Sequence, residues 1–260
     1  MRKPSPITLT VTQTSTITPN MQRITLSGEG LSKYPTECAG GYIKLMFSPL
    51  GTTDLSQLNE GERPTMRTYT IRQYDPVEQC IEVDFVRHIT TDLQCGFAAR
   101  WAMNATVGDT ISVAGPGLIQ GLNHEADWFF FAADMTSLPA LSAKIKTLPG
   151  TAIGHAVIQI NSAQDKQKLE APQGIKITWL IEDETSESLS QTVRNIKWLN
   201  GQVSVWTACE FEDMRELRQY FRNEKEVEKE NIYISSYWKR GVTEDGHKVL
   251  KQQDARTLAD

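Results

Sequence analysis

The sequence predicts two domains: an N-terminal six-stranded antiparallel β-barrel and a C-terminal α/β domain built on a parallel sheet. Three observations carry this. The chain has 260 residues, enough for about two domains at roughly 150 residues each. Its first half is a series of short, Thr/Val/Ile-rich segments with alternating polarity. Its second half is a series of continuous apolar runs separated by stretches with helical spacing.

Six strands are expected in the first half, at residues 7–17, 21–27, 42–47, 67–72, 81–88 and 110–114. In the fifth, Ile81, Val83 and Phe85 fall on one face and Glu82, Asp84 and Val86 on the other. Thr18-Pro19-Asn20 is a turn, residues 48–64 a polar surface loop, and residues 96–103 a short helix. Six short strands at this spacing suggest a small closed barrel. Strands of the second half are expected at residues 128–133, 152–160, 175–181, 203–208 and 232–235. Helices fall between them at 136–148, 188–199 and 213–229, the last with an Asp at its cap. Strand, helix, strand repeated means crossover connections and a parallel sheet. The boundary lies near residues 118–127, giving domains at 1–122 and 123–260 that share an interface.

Composition narrows the function. The net charge of −5 disfavours non-specific nucleic-acid binding, which requires a basic surface. The longest apolar run, residues 128–133, is far short of the ~20 residues that span a bilayer. The first six residues carry charge without a following apolar stretch, so no signal peptide is expected. Cys38, Cys80, Cys95 and Cys209 are scattered without zinc spacing and read as idle thiols of a cytoplasmic protein. His124, His155 and His247 likewise have no metal-ligand spacing.

A parallel sheet points to a nucleotide at the carboxyl ends of its strands. No G-x-G-x-x-G follows a strand, and Gly115, Gly117 and Gly121 precede the first parallel strand, so they read as barrel-closing turns. The most informative motif is Arg67-Thr68-Tyr69-Thr70. A flavin asks a barrel strand for a cation at its phosphates, hydrogen-bond partners along the ring edge and a flat apolar surface. Arg supplies a donor fork, Tyr a rigid face, and Thr a hydroxyl. So short a motif also occurs by chance in ordinary half-exposed strands.

Taken together, the motifs resemble a family. Met66 to Arg72, Val83 to His88 and Gly115-Pro116-Gly117 are similar to siderophore-interacting proteins, flavin-dependent ferric-siderophore reductases with a ferredoxin-NADP reductase-like fold. The resemblance continues through Ala132 to Ala140, Trp206 to Glu210 and Ser236 to Gly241, and so covers nearly the whole chain in order.

The resemblance implies FAD as cofactor and NADH or NADPH as electron donor, with a reduced ferredoxin as a further candidate. By family pattern Arg67, Thr68, Tyr69 and Thr70 line the flavin, and Asp84, Phe85, Val86 and His88 follow its ribityl and phosphate region. Gly96, Ala98, Ala99 and Trp101 match a phosphate-binding helix start, Asp134 and Thr136 the adenosine end, and Trp238 an aromatic near the isoalloxazine. Three departures stand out: Ala99 lacks the usual hydroxyl, Met135 replaces an acidic residue, and Cys209 replaces a glycine.

The substrate implied is a ferric siderophore, which calls for cationic donors around a shallow pocket. Lys44 and the C-terminal cations Arg240, Lys248 and Lys251 are the candidates, beside Tyr237-Trp238. The same cations also fit a solvated surface segment. No protein ligand set holds the iron, no catalytic side chain is needed beyond the flavin, and a monomer is the simplest assembly. Two other readings stay open: a general NAD(P)H:flavin or quinone reductase on the same fold, and a siderophore-binding protein without turnover.

Overall fold

The computed structural model describes residues 5–56, 58–87, 96–119 and 121–257. The chain divides into two compact units, Met1–Ile119 and Gln120–Asp260.

The first unit is an antiparallel sheet of seven strands: β1 (Ile7–Thr18), β2 (Met21–Ser27), β3 (Tyr42–Phe47), β4 (Thr65–Thr70), β5 (Gln73–Asp75), β6 (Cys80–Val86) and β7 (Thr110–Gly117). Their order is β4-β3-β7-β1-β2-β6-β5, and the two end strands do not pair. The expectation of six strands closing a barrel is corrected on both counts. The added strand, β5, has three residues and is too short to carry an alternation signal. It turns into β6 through Asp75, whose Oδ1 accepts from the N–H groups of Val77 and Glu78. One face of the sheet is apolar and fully buried. Leu9, Val11, Ile24, Leu26, Ile43, Leu45, Val83, Phe85, Ile111 and Val113 form its core. On β6 the alternation holds: Ile81, Val83 and Phe85 enter that core, while Glu82 and Asp84 meet Arg23 on the other side. Helix α1 (Phe97–Asn104) follows β6 in the chain and buries Phe97, Ala98, Ala99 and Ala102. At the end of β7, Gly117 lies against Tyr42, where a Cβ would come within 2.1 Å of the ring.

The second unit is a five-stranded parallel sheet: β8 (Trp128–Ala133), β9 (Ile153–Ile160), β10 (Gly174–Ile181), β11 (Val203–Glu210) and β12 (Ile232–Trp238). The order β10-β9-β8-β11-β12 puts the first strand of the unit at the centre, with the chain running outward first to one side and then to the other. This is the doubly wound arrangement, and its topological switch point lies between β8 and β11. Helices α2 (Leu138–Ile145), α3 (Leu189–Asn195) and α4 (Phe211–Gln219) make the crossovers. Every residue of β8 is buried, as expected for a strand covered on both faces. Trp128, Phe130 and Ala132 pack with Leu189, Val193, Met214, Leu217 and Phe221 of the α3–α4 layer, while Phe129 and Phe131 stack on each other at 6.4 Å.

Two helices differ from expectation. α4 begins at Phe211 and is capped by Glu210, whose carboxylate accepts from the N–H of Glu212. Asp213, expected as the cap, instead accepts from the N–H of Ser190 at 3.1 Å and ties α4 to α3. The C-terminal basic segment, for which no helix is expected, is a helix, α5 (Glu244–Thr257). Its attachment is mostly polar. Arg218 holds Asp254 through two bonds of 2.7 and 2.8 Å, and Lys251 reaches Ser235 and Ser236. A helix docked by charge leaves little hydrophobic periodicity to read. No described helix is long and apolar enough to cross a membrane.

Candidate functional site

In the first unit, strand alternation divides the Arg67–Thr70 motif between two faces. β4 pairs with β3, so that Lys44 lies opposite Thr68, Tyr42 opposite Thr70, Leu45 opposite Arg67 and Ile43 opposite Tyr69. Arg67 and Tyr69 therefore share the core side with Ile43 and Leu45, while Thr68 and Thr70 share the other with Tyr42 and Lys44. On the core side the aromatic rings form a continuous wall. Tyr69 lies 4.4 Å from Phe85, Phe85 meets Trp101 edge-on at 5.8 Å, and Trp101 meets Phe47 at 6.4 Å. The buried Arg67 guanidinium lies over Phe97, 5.7 Å from the ring centre, and donates to the carbonyl of Met66 at 2.9 Å. Phe97 opens α1, and Gly96 before it takes a left-handed φ of 83° and brings no side chain to the helix start.

The wall thus unites Arg67, Tyr69, Phe85 and Trp101 with the α1 start at Gly96, Ala98 and Ala99. Val86 follows on the same strand, half-buried, and His88 lies outside the described residues. Asp84 is placed differently. Its buried carboxylate takes a two-pronged bond from Arg23, at 2.6 and 2.9 Å, and lies 3.4 Å from the Arg72 guanidinium. Glu82 completes the cluster, at 3.3 Å from Arg23 and 3.0 Å from Arg72. Both oxygens of Asp84 are engaged on the face opposite Phe85.

In the second unit, the carboxyl ends of the strands gather a second set of residues. Asp134 follows β8 directly and is buried. Its Oδ1 accepts from the Thr136 N–H at 2.9 Å, the Thr136 hydroxyl at 2.6 Å and the Ser137 N–H at 3.2 Å. Its Oδ2 accepts from the Trp238 indole at 2.7 Å. Burial pushes the Asp134 pKa up, while these four donors pull it back. The Ser137 hydroxyl bridges the switch point by donating to the Ala208 carbonyl at 2.5 Å. Beyond Trp238 the chain continues along this end of the sheet. The Arg240 N–H donates to Glu210 at 3.0 Å, and its guanidinium approaches Glu182 at 3.8 Å. Asp134, Thr136 and Trp238, assigned by resemblance to opposite ends of one cofactor, are in direct contact here.

The four candidate substrate cations have different surroundings. Lys44 is half-buried beside Thr68. Arg240 is 77% exposed along its side chain and lies over the Trp238 ring at 5.9 Å. Lys248 pairs with Asp245 and Glu244 of its own helix, at 3.1 and 3.5 Å. Lys251 donates to the Ser235 hydroxyl and the Ser236 carbonyl at 3.0 and 2.9 Å, and burial lowers its pKa. The structure therefore gives Lys248 and Lys251 structural work in α5.

Two family profiles match the chain. The siderophore-interacting FAD-binding domain covers residues 10–119, and the siderophore-interacting protein domain covers residues 126–241. The ferric vibriobactin reductase ViuB of Vibrio cholerae is 30% identical over 244 residues, spanning 89% of this chain and 88% of the relative. The chain belongs to the siderophore-interacting protein family. The NADPH-dependent ferric-chelate reductase of Escherichia coli is 27% identical over 88% of this chain and 91% of its own. The siderophore-interacting protein SipS of Aeromonas hydrophila superimposes with a TM-score of 0.76 at 29% identity, covering 90% of this chain and 98% of that one.

Cys209 stands where the resemblance leads one to expect a glycine. The side chain is wholly buried in the cluster of Phe211 and Met214, and burial pushes its thiol pKa well up. Sequence reasoning missed Ser137, which bridges the switch point, and Glu210, which caps α4 and receives the Arg240 N–H. The Ser three residues after Asp134 was the available signal, since Asp-x-x-Ser can close a turn on itself.

Proposed function

We propose that this family member reduces ferric siderophores in the cytoplasm with electrons from NADH or NADPH, using FAD as its cofactor. The observation that carries the proposal is the Tyr69–Phe85–Trp101 wall with a buried guanidinium beside it, inside a segment matched end to end by an FAD-binding family profile.

The first unit fits the cofactor. Tyr69 is half-buried, and its ring packs on Phe85. Arg67 is a charged donor in an otherwise apolar wall, suited to a phosphate oxygen. The first N–H groups of α1, at Phe97, Ala98 and Ala99, follow a glycine that offers them no side-chain acceptor, which suits an anion. Thr68, Thr70 and Val86 complete the residues that would hold FAD. When bound, FAD supplies two-electron acceptance from a nicotinamide and one-electron delivery to iron.

The nicotinamide donor is assigned to the switch point of the second unit, beside Asp134, Thr136, Ala208 and Trp238. Arg240 is the candidate siderophore contact of the second unit, its charge less committed than those of Lys248 and Lys251, and Lys44 is a separate candidate of the first unit. Ferrous iron is held far less tightly than ferric iron by hard oxygen ligands, so reduction frees the metal from its chelator. Iron is substrate throughout. A reduced ferredoxin is a second possible donor, and the chain acts as a monomer in this reading.

The test is spectroscopic. The purified protein, reconstituted with FAD, should be yellow and should produce ferrous-chelator colour from a ferric siderophore when given NADH or NADPH. Arg67→Ala and Tyr69→Ala should lower bound flavin. Lys44→Ala and Arg240→Ala, made separately, each test one candidate, and the residue that contacts the siderophore should weaken its binding at unchanged flavin content. A chain that cannot be loaded with FAD would sink the proposal, and reduction of free quinones without preference for iron chelates would favour the general reductase.

A further inference from the structure

In a doubly wound sheet the diphosphate of a dinucleotide ordinarily sits at the start of the helix after the first strand, against free backbone N–H groups. Here that start is already filled. The N–H groups of Thr136 and Ser137 donate to the Asp134 carboxylate, and Leu138 N–H donates to the Asp134 carbonyl at 2.9 Å. Pro139, next in the helix, has no N–H. The Ser137 hydroxyl, a further potential phosphate donor, is directed at Ala208 and the Asp134 carbonyl. The anion position is thus occupied by a carboxylate that belongs to the chain, which is buried and held from its other oxygen by Trp238.

We propose that Asp134 is a specificity-determining residue that substitutes for a phosphate at the switch point, so that the electron donor is recognised by its nicotinamide end and its diphosphate gains nothing from α2. The inference rests on the assignment of a nicotinamide donor to this crevice. It follows from charge and donor count. A second anion would meet the Asp134 carboxylate, with the N–H groups of Thr136, Ser137 and Leu138 already engaged.

Asp134→Asn tests this at nearly constant shape. The amide oxygen can keep the Thr136 and Ser137 bonds, while the negative charge is removed. The readout is equilibrium binding of NAD+ to the FAD-loaded protein by calorimetry, beside KM values for NADH and for the phosphate-free donor N-benzyl-1,4-dihydronicotinamide. The variant should bind NAD+ about tenfold more tightly, the scale of one anion at a helix start, a gain larger than any change in the KM for the benzyl compound. In the parent protein, inorganic pyrophosphate should not compete with NADH, a measurement that needs no variant. Competition by pyrophosphate in the parent, or unchanged or weaker NAD+ binding in a folded Asp134→Asn protein, would overturn the inference. A protein that holds FAD but binds no nicotinamide in either form would instead overturn the donor assignment beneath it.

Discussion

Replacing Asp84 by Ala separates a structural carboxylate from a cofactor contact. In the structure Asp84 carries the two-pronged bond from Arg23 and the approach of Arg72, with only 2% of its side chain exposed. Removing it strands two guanidinium groups. Breaking a buried ion pair from one side costs ~3–5 kcal/mol, and the lower end applies because the arginines can reach water. Their side chains are 17% and 21% exposed, and Glu82 remains to share them. About 3 kcal/mol corresponds to roughly a hundredfold change in an opening equilibrium. Hydrogen exchange read by mass spectrometry on the intact protein should therefore show a loss of protection of that order in β2 and β6, with the second unit unaffected. The paired change Arg23→Met with Asp84→Leu leaves Arg72 on Glu82 and should recover most of the protection, because an apolar pair can replace a buried ionic one. Flavin content should follow protection in both variants. Unchanged exchange with lost flavin in Asp84→Ala, or recovered exchange without recovered flavin in the pair, would refute this reasoning and return Asp84 to the cofactor.

His247 sets a pH limit on α5. Burial pushes its pKa down to about 4, and Lys251, Lys239 and Lys248 act in the same direction against Glu210. Its Nε2 meets the Ser236 hydroxyl at 2.8 Å. The unfolded chain binds this proton first, near the ordinary value of 6.5, so the contribution is present above that pH and is lost as pH falls towards about 4. Exchange protection in α5 and β12 should decline across that window, and His247→Gln should flatten the decline. At Gly154, opposite Phe129 in the β8–β9 ladder and with φ at 150°, a Cβ would lie 1.9 Å from the Phe129 carbonyl oxygen. Gly154→Ala should cost about 2–3 kcal/mol by overpacking, read as a lower Tm of the second unit in calorimetry, and an unchanged Tm would show that the ladder can spread.

Much of this was legible in the chain because burial leaves periodic marks. The continuous run at Trp128–Ala133 is what a strand covered on both sides requires, and β8 matches it residue for residue. The alternation of Ile81, Val83 and Phe85 placed the core face of β6 correctly. The Arg67–Thr70 motif was visible, but its division between two faces depends on pairing with β3, which no local pattern encodes. β5 was too short to see. The tasks of Asp84 and Lys251 were hidden for a related reason. A charged residue reads alike in sequence whether it faces a ligand or another part of the chain, and the partners Arg23, Ser235 and Ser236 become visible only in the fold.

The bond from Lys251 to the Ser236 carbonyl also matters for solubility. β12 is an outer strand of the parallel sheet, and an outer strand offers its backbone as a template on which another chain can polymerise. Lys251 occupies one of those backbone acceptors with a cation anchored in α5. An incoming strand would have to displace the lysine and desolvate its charge to pair there. Truncating the chain before Glu244 would remove this guard, and the resulting protein would be at risk of edge-to-edge aggregation in the cell.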